Sequence, residues 1–240
     1  MTSSGMRPVG SRLVSTSSVV VFDIDGTLMD HAASARAGLV AWVTGLGHRM
    51  TDEVAAAWTA AEHRHFTAWR DGEISFAEQR RRRLRDVLPL LGDPVGDDDA
   101  LDEVFTGYLQ AYEAAWQPYP DVAECLSTLQ QRGLRLAVLS NGSDGQQRKK
   151  LARIGVAGYF TDVFTAEGLG VGKPHREAYD LTAEALGVPS GECLLVGDDY
   201  ELDVTAPRKA GWRAIHLDRT GQYREAEAIS TLSQLPGLLA

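Results

Sequence analysis

Only two cysteines, Cys125 and Cys193, occur in 240 residues. Cys125 falls in a segment of helical pattern and Cys193 in a short apolar run, which reads as two reduced thiols and no disulfide framework. Long apolar runs are missing too, and none reaches transmembrane length. Basic charge is scarce. Lys and Arg number 24 against 33 Asp and Glu, a formal charge of −9, with a pI near 5.1. That balance argues against bulk affinity for nucleic acid or an anionic membrane. The expected partner is a small molecule, with no nucleic acid, no membrane, and a monomer or homodimer as the working state. An anionic substrate would need a local positive pocket. Residues 1–16 hold Arg7 and Arg12 but no apolar segment of signal-peptide length. Their Ser and Gly content predicts a disordered leader, and the expected location is cytoplasmic. Beyond the leader no repeat or low-complexity stretch stands out.

What is present begins with a hydrophobic fraction of 44%, enough for a real core in one large domain or one domain with an inserted subdomain. The apolar run Val19–Phe22 reads as a buried parallel strand. It leads directly into Asp23-Ile24-Asp25-Gly26-Thr27-Leu28. No second strand of that kind follows for roughly a hundred residues. Segments 32–46, 52–70, 75–90 and 99–116 read as helices instead, with apolar residues at three and four spacing such as Val54, Trp58, Ala61, Phe66 and Trp69. Gly47, Asp71-Gly72 and Leu91-Gly92-Asp93-Pro94 break them. Ser75 and Glu78 have capping-box spacing. From Pro118 the pattern changes to strand and helix in alternation. Strands are expected at 136–139, 163–165, 193–196 and 213–217. A helix opens at Asp121 and Glu124 and stops at Gly133, another covers 144–154, and one starts at Pro174 and runs to Leu186. A further helix is expected over 201–209, kinked or restarted at Pro207. Such alternation predicts a parallel sheet with helices on both faces.

Two carboxylates at the end of a strand stand where open α/β sheets bind ligands. One can attack phosphorus and form an aspartyl-phosphate, and the other can carry the proton. Three more groups stand at strand ends or loops further on: Ser140-Asn141-Gly142, Gly172-Lys173-Pro174, and Gly197-Asp198-Asp199 with Asp203. In these residues and this order the chain resembles the haloacid dehalogenase superfamily, over about residues 18–217. The resemblance implies an α/β protein with a Rossmann-like parallel-sheet core, 17–30 and 118–240, and an all-helical cap subdomain inserted at 31–117. It implies a Mg²⁺-dependent phosphomonoester hydrolase of small cytosolic metabolites.

Asp23 is then the nucleophile and Asp25 the acid and base. Asp23 and Asp198 supply side-chain oxygens to Mg²⁺, and the residue matching Asp25 offers its backbone carbonyl. Lys173 is the positive charge opposite Asp23 and the phosphate. Ser140 and Asn141 hold the phosphate by hydroxyl and backbone N–H, with backbone groups of Gly26 and Thr27. Asp203 supports the metal or the lysine, and Asp199 is a helix cap or a water-mediated ligand. Dehalogenases of the superfamily lack the second acid, because a departing halide needs no proton, so Asp25 favours phosphate chemistry. His175 stands where relatives commonly have Asp. Arg80, Arg81, Arg82, Arg83 and Arg85 read mostly as a solvated face, with one of them, or Arg70, eligible to meet the substrate. His31 reads as a hinge position, and the Trp and Phe residues of the cap as core. A phosphomutase of the same superfamily and a non-catalytic phosphate-binding module are the alternatives.

Overall fold

Val19–Phe22 contains three β-branched valines and a phenylalanine, all buried, and forms strand β1. A strand apolar at every position needs cover on both faces, and β1 lies at the centre of its sheet. β2 (Arg135–Ser140), β3 (Asp162–Thr165), β4 (Cys193–Gly197) and β5 (Arg213–His216) complete the order β3-β2-β1-β4-β5. Every pairing is parallel, with Phe22 beside Val138 and Val196. The computed structural model describes residues 18–222 and 228–239, and the leader expected at 1–16 lies outside them.

The chain divides into two compact units. One holds the residues up to Asp30 and those from Gln117 onward, and the other is His31–Trp116. In the sheet unit, alternate residues Val19, Val21, Ala137, Leu139, Cys193 and Leu195 pack with Tyr179, Ala183, Leu186 and Trp212. Both cysteines are buried and free.

The second unit consists of α1 (His31–Gly45), α2 (Asp52–Arg70), α3 (Phe76–Leu91) and α4 (Asp98–Ala114). The starts of α2, α3 and α4 are capped by side chains. Thr51, Ser75 and Asp97 accept from the amides of Val54, Glu78 and Ala100, satisfying donors that a helix start leaves free. Asp97 thereby sets the start of α4 at Asp98. The core is aromatic: the Trp58 ring lies 4.4 Å from Tyr108, centroid to centroid, and 5.4 Å from Trp42. On α2 the inward stripe is Val54, Trp58, Ala61 and His65, not the expected Phe66. Phe66 is exposed and groups instead with Trp69 and, through it, Phe76. Helical geometry decides this, because position 65 lies four after Ala61 and 66 lies five. The arginines of α3 also part company. Arg81, Arg82 and Arg85 pair with Glu78, Asp98 and Asp102. Arg83 is buried, 2.8 Å from Glu62 and 4.4 Å above the Trp58 ring. A solvated face therefore does not describe Arg83.

In the sheet unit the helices are α5 (Val122–Gln131), α6 (Asp144–Arg153), α7 (Ala166–Leu169), α8 (Arg176–Leu186), α9 (Ala206–Lys209) and α10 (Leu235–Leu238). Asp121 precedes α5 without capping it. Its carboxylate accepts from Arg219, Thr231 and Leu232 instead. α8 begins at Arg176 and not at Pro174, because His175 is still extended. Residues Tyr200–Thr205 form a π-helix, and α9 restarts with Pro207 in its first turn, where a missing N–H costs nothing.

At Gly38 helix α1 meets the backbone of α4 closely. A Cβ there would stand 2.5 Å from the Tyr112 Cα and 2.8 Å from its nitrogen. Ala improves a helix interior by roughly 0.5–1 kcal/mol over Gly, but overpacking against backbone costs about 1–3 kcal/mol. Gly38→Ala is expected to lower stability. Urea unfolding checks this, and a raised midpoint would mean that α1 yields freely.

Candidate active site

In the order β3-β2-β1-β4-β5 the chain moves outward one way from β1 and then returns to its other side. The reversal lies between β1 and β4, and ligands of open parallel sheets bind beyond the strand ends at such a point. β1 delivers Asp23 there and β4 delivers Asp198. The Asp23 amide donates to the Val196 carbonyl at 3.0 Å. Beyond it the loop curls on itself, with the amides of Thr27, Leu28 and Met29 all donating to the Ile24 carbonyl. Gly26 has φ +84°, and a Cβ on it would lie 2.1 Å from Asp198 Oδ2. Only glycine tolerates both the conformation and the approach.

Lys173 reaches this point from a different part of the chain. Its Nζ lies 2.8 Å from Asp23 Oδ1 and 2.6 Å from Asp203 Oδ1, and its side chain is 2% exposed. Asn141 at the end of β2 holds the lysine backbone: Nδ2 donates to the Lys173 carbonyl and Oδ1 accepts from the Lys173 amide. The π-helix brings in Asp203. Its wide turn follows directly on Asp199, and Asp203 accepts the Asp199 amide at Oδ2. Single π turns are frequent at functional sites. Gly197 leaves room for it, since a Cβ there would stand 2.3 Å from the Asp203 carboxylate.

The electrostatics are unbalanced. Oxygens of Asp23, Asp198 and Asp203 lie within 4.8 Å of one another, three carboxylates around one ammonium. Burial raises the Asp23 carboxyl well above its usual range, against Lys173 and with further push from Asp203, Asp198 and Asp25. Burial, then Asp203, lifts Asp198 to about 7. Burial also raises Asp203, against the pull of Lys173. Burial disfavours the Lys173 charge, but Asp203 and Asp23 outweigh it and raise its pKa. A divalent cation would relieve this excess, and carboxylate oxygens suit a hard cation. The cluster can hold a metal ion.

The structure thus brings Asp23, Lys173, Asp198 and Asp203 together. Thr27 donates its hydroxyl to Asp198 at 3.2 Å. The amides expected to face a phosphate at Gly26 and Thr27 donate instead to the Met29 and Ile24 carbonyls, because the loop closes on itself. Ser140 Oγ accepts from Gln147, which leaves its own proton to donate elsewhere. Asp199 Oδ1 accepts from the amides of Glu201 and Leu202, a helix-capping contact. Asp25 adds to the charge felt by Asp23 and pairs with Lys150, at 2.7 and 2.6 Å. Sequence reasoning missed Gln147 and Lys150. A signal was available: they lie four residues before Leu151 and Ile154, so polar groups share the apolar face of α6.

The haloacid dehalogenase-like hydrolase family model matches residues 18–211. The phosphoserine phosphatase of Thermus thermophilus is 30% identical over 78% of this chain and 71% of its own length. The phosphoglycolate phosphatase of Escherichia coli O157:H7 is 30% identical over 88% of this chain and 85% of its own. A magnesium-bound structure of the HAD-hydrolase YfnB from Bacillus subtilis covers 93% of this chain and 99% of that one, with TM-score 0.81 and 22% identity, a likeness of fold.

Removing Lys173 would strand two buried acids. Losing one partner of a buried ion pair costs about 3–5 kcal/mol. Lys173→Met is expected to lose stability of that order at neutral pH, read from chemical denaturation. An unchanged midpoint would show that the acids find another partner.

Proposed function

The chain belongs to the haloacid dehalogenase-like hydrolases and is a phosphatase, and from that premise we propose that it is a Mg²⁺-dependent phosphomonoester hydrolase. It acts on a small phosphorylated metabolite of the cytoplasm through an aspartyl-phosphate. The observation that carries this reading is the buried Lys173 ammonium between Asp23 and Asp203, with Asp198 alongside. Residues 31–116 form the inserted cap of this scheme.

Asp23 is the nucleophile. Its carboxylate oxygen attacks phosphorus while the bond from phosphorus to the ester oxygen breaks. Asp25 gives its proton to that oxygen as the alcohol leaves. Asp25 then takes a proton from water, whose oxygen attacks the same phosphorus and breaks the bond to Asp23. Orthophosphate departs, and both acids return to their starting forms. Lys173 orients Asp23 and offsets the charge of the phosphoryl group. The Ser140 hydroxyl and the Asn141 N–H bind phosphate oxygens. Asp23, Asp198 and the Asp25 backbone carbonyl would hold Mg²⁺, with Asp203 behind them. When bound, the cation neutralises charge on the phosphoryl oxygens and lets one anion approach another.

Phosphate release from a panel of phosphomonoesters tests the reading. Chelation is expected to abolish turnover and added Mg²⁺ to restore it. Asp23→Asn is expected to lower kcat by on the order of 10³ or more, since an amide is a poor nucleophile. Full activity in excess chelator, or a near wild-type rate for Asp23→Asn, would refute the scheme.

Asp25→Asn is expected to act at a different step. Without a general acid the first step should slow roughly 10²- to 10⁴-fold for an alkyl phosphate. It should slow far less for an aryl phosphate, whose leaving group needs little protonation. Rapid-quench comparison of the two esters decides it, and equal slowing would remove Asp25 from the acid role.

A further inference from the structure

The Asp25 carboxylate is held by a group that the four sequence motifs do not contain. Lys150 projects from α6 with Nζ 2.7 Å from Oδ1 and 2.6 Å from Oδ2. An ammonium shared almost equally by both oxygens fixes the plane of the carboxylate, where a contact to one oxygen would let it swing. The two partners are unequally placed. The Lys150 side chain is 5% exposed and that of Asp25 is 30% exposed. A buried lysine charge is expensive without a partner, so a lysine in this position is held by its pairing and does not drift as a surface lysine does.

The same helix face touches the site a second time. Gln147, one turn earlier, donates from Nε2 to the Ser140 hydroxyl at 2.9 Å and to the Asn141 carbonyl at 3.2 Å. One rigid element therefore contacts both the end of β2 and the acid that follows β1. Gln147 and Lys150 are three apart, so both side chains lie on one stripe of α6.

We propose that Lys150 is a positioning residue that aims the Asp25 carboxylate at the ester oxygen and, later, at the attacking water. The proposal rests on the assignment of Asp25 as acid and base. Loss of this partner removes a constraint on both oxygens of the Asp25 carboxylate. Misplacement of a reacting group by about 1 Å can cost 10²-fold in rate. The Lys150 ammonium is committed to the Asp25 carboxylate, and its substitution leaves both Asp23 and Lys173 in the chain, so the nucleophile is retained.

The test is single-turnover rapid quench with Mg²⁺, using an alkyl phosphate and p-nitrophenyl phosphate. Lys150→Met is expected to slow release of the alkyl alcohol by roughly 10- to 100-fold. It should leave the aryl ester within about threefold, because that leaving group departs without help. Lys150→Arg should recover part of the alkyl rate, since a guanidinium also meets both carboxylate oxygens. Lys150→Gln, which keeps a polar group at the buried position, carries the same expectation as Lys150→Met should the latter unfold. A purely structural role would slow both esters equally, and that result, or an unchanged alkyl rate, would overturn the proposal. A wild-type protein inert toward both esters would overturn the proposed function and the Lys150 role together. An active wild type with flat Lys150 variants would overturn the Lys150 role alone.

Discussion

A buried ammonium shared by two buried carboxylates holds the sheet unit's active end together. Lys173 lies 150 residues from Asp23 and 30 from Asp203 in sequence, yet its nitrogen is within hydrogen-bonding distance of both. None of the three charges is tolerable alone at that depth, because each has exchanged water for a medium that screens poorly. Their mutual attraction compensates this only if all three segments arrive together. The backbone of Lys173 is clasped by the Asn141 amide, and Asp203 is turned inward by the π-helix. Local features that look like separate irregularities thus serve one electrostatic requirement.

The sheet order supplies the place. With β1 central and β4 on its far side, the two strand ends that carry acids lie side by side at the reversal of chain direction. Backbone must approach side chain very closely there. Gly26 against Asp198 and Gly197 against Asp203 leave no space for a Cβ. Burial raises the proton affinity of all three acids, and neighbouring carboxylates add to it at Asp23 and Asp198. This crowding of acids also explains why carboxylates that would repel one another in isolation fit a cation. Asp25 has a cation of its own in Lys150, while Asp23 and Asp203 share Lys173.

The helical unit has its own source of order. Trp42, Trp58, Phe105, Tyr108 and Tyr112 fill its interior, and the cation of Arg83 is buried among those rings with Glu62 beside it. A run of arginines reads as surface from composition, but each residue on a helix meets different neighbours. Arg83 lies one position from Leu84 and four from Val87, on the buried stripe, whereas Arg82 and Arg85 face the acids Glu78 and Asp98.

Periodicity and punctuation made most of the architecture readable: Val19–Phe22 as a strand, Asp52–Arg70 as a helix, and an α/β core interrupted by helices. These are properties of short windows, where side-chain alternation and capping act within a few residues. The motif order likewise named Asp23, Lys173, Asp198 and Asp203 as companions before any geometry was known. Tertiary structure alone decided the pairings. It put His65 rather than Phe66 inward, moved the start of α8 past Pro174, gave Asp199 a cap to make, and set Lys150 against an acid 125 residues away. Such pairings depend on strand order, helix register and burial, which bring together atoms that no local window contains. The sequence by itself determined which chemical groups stand at the strand ends. The fold determined which of them neutralise one another, because Coulomb energy depends on distance through space and on depth from water, and neither is written in sequence separation.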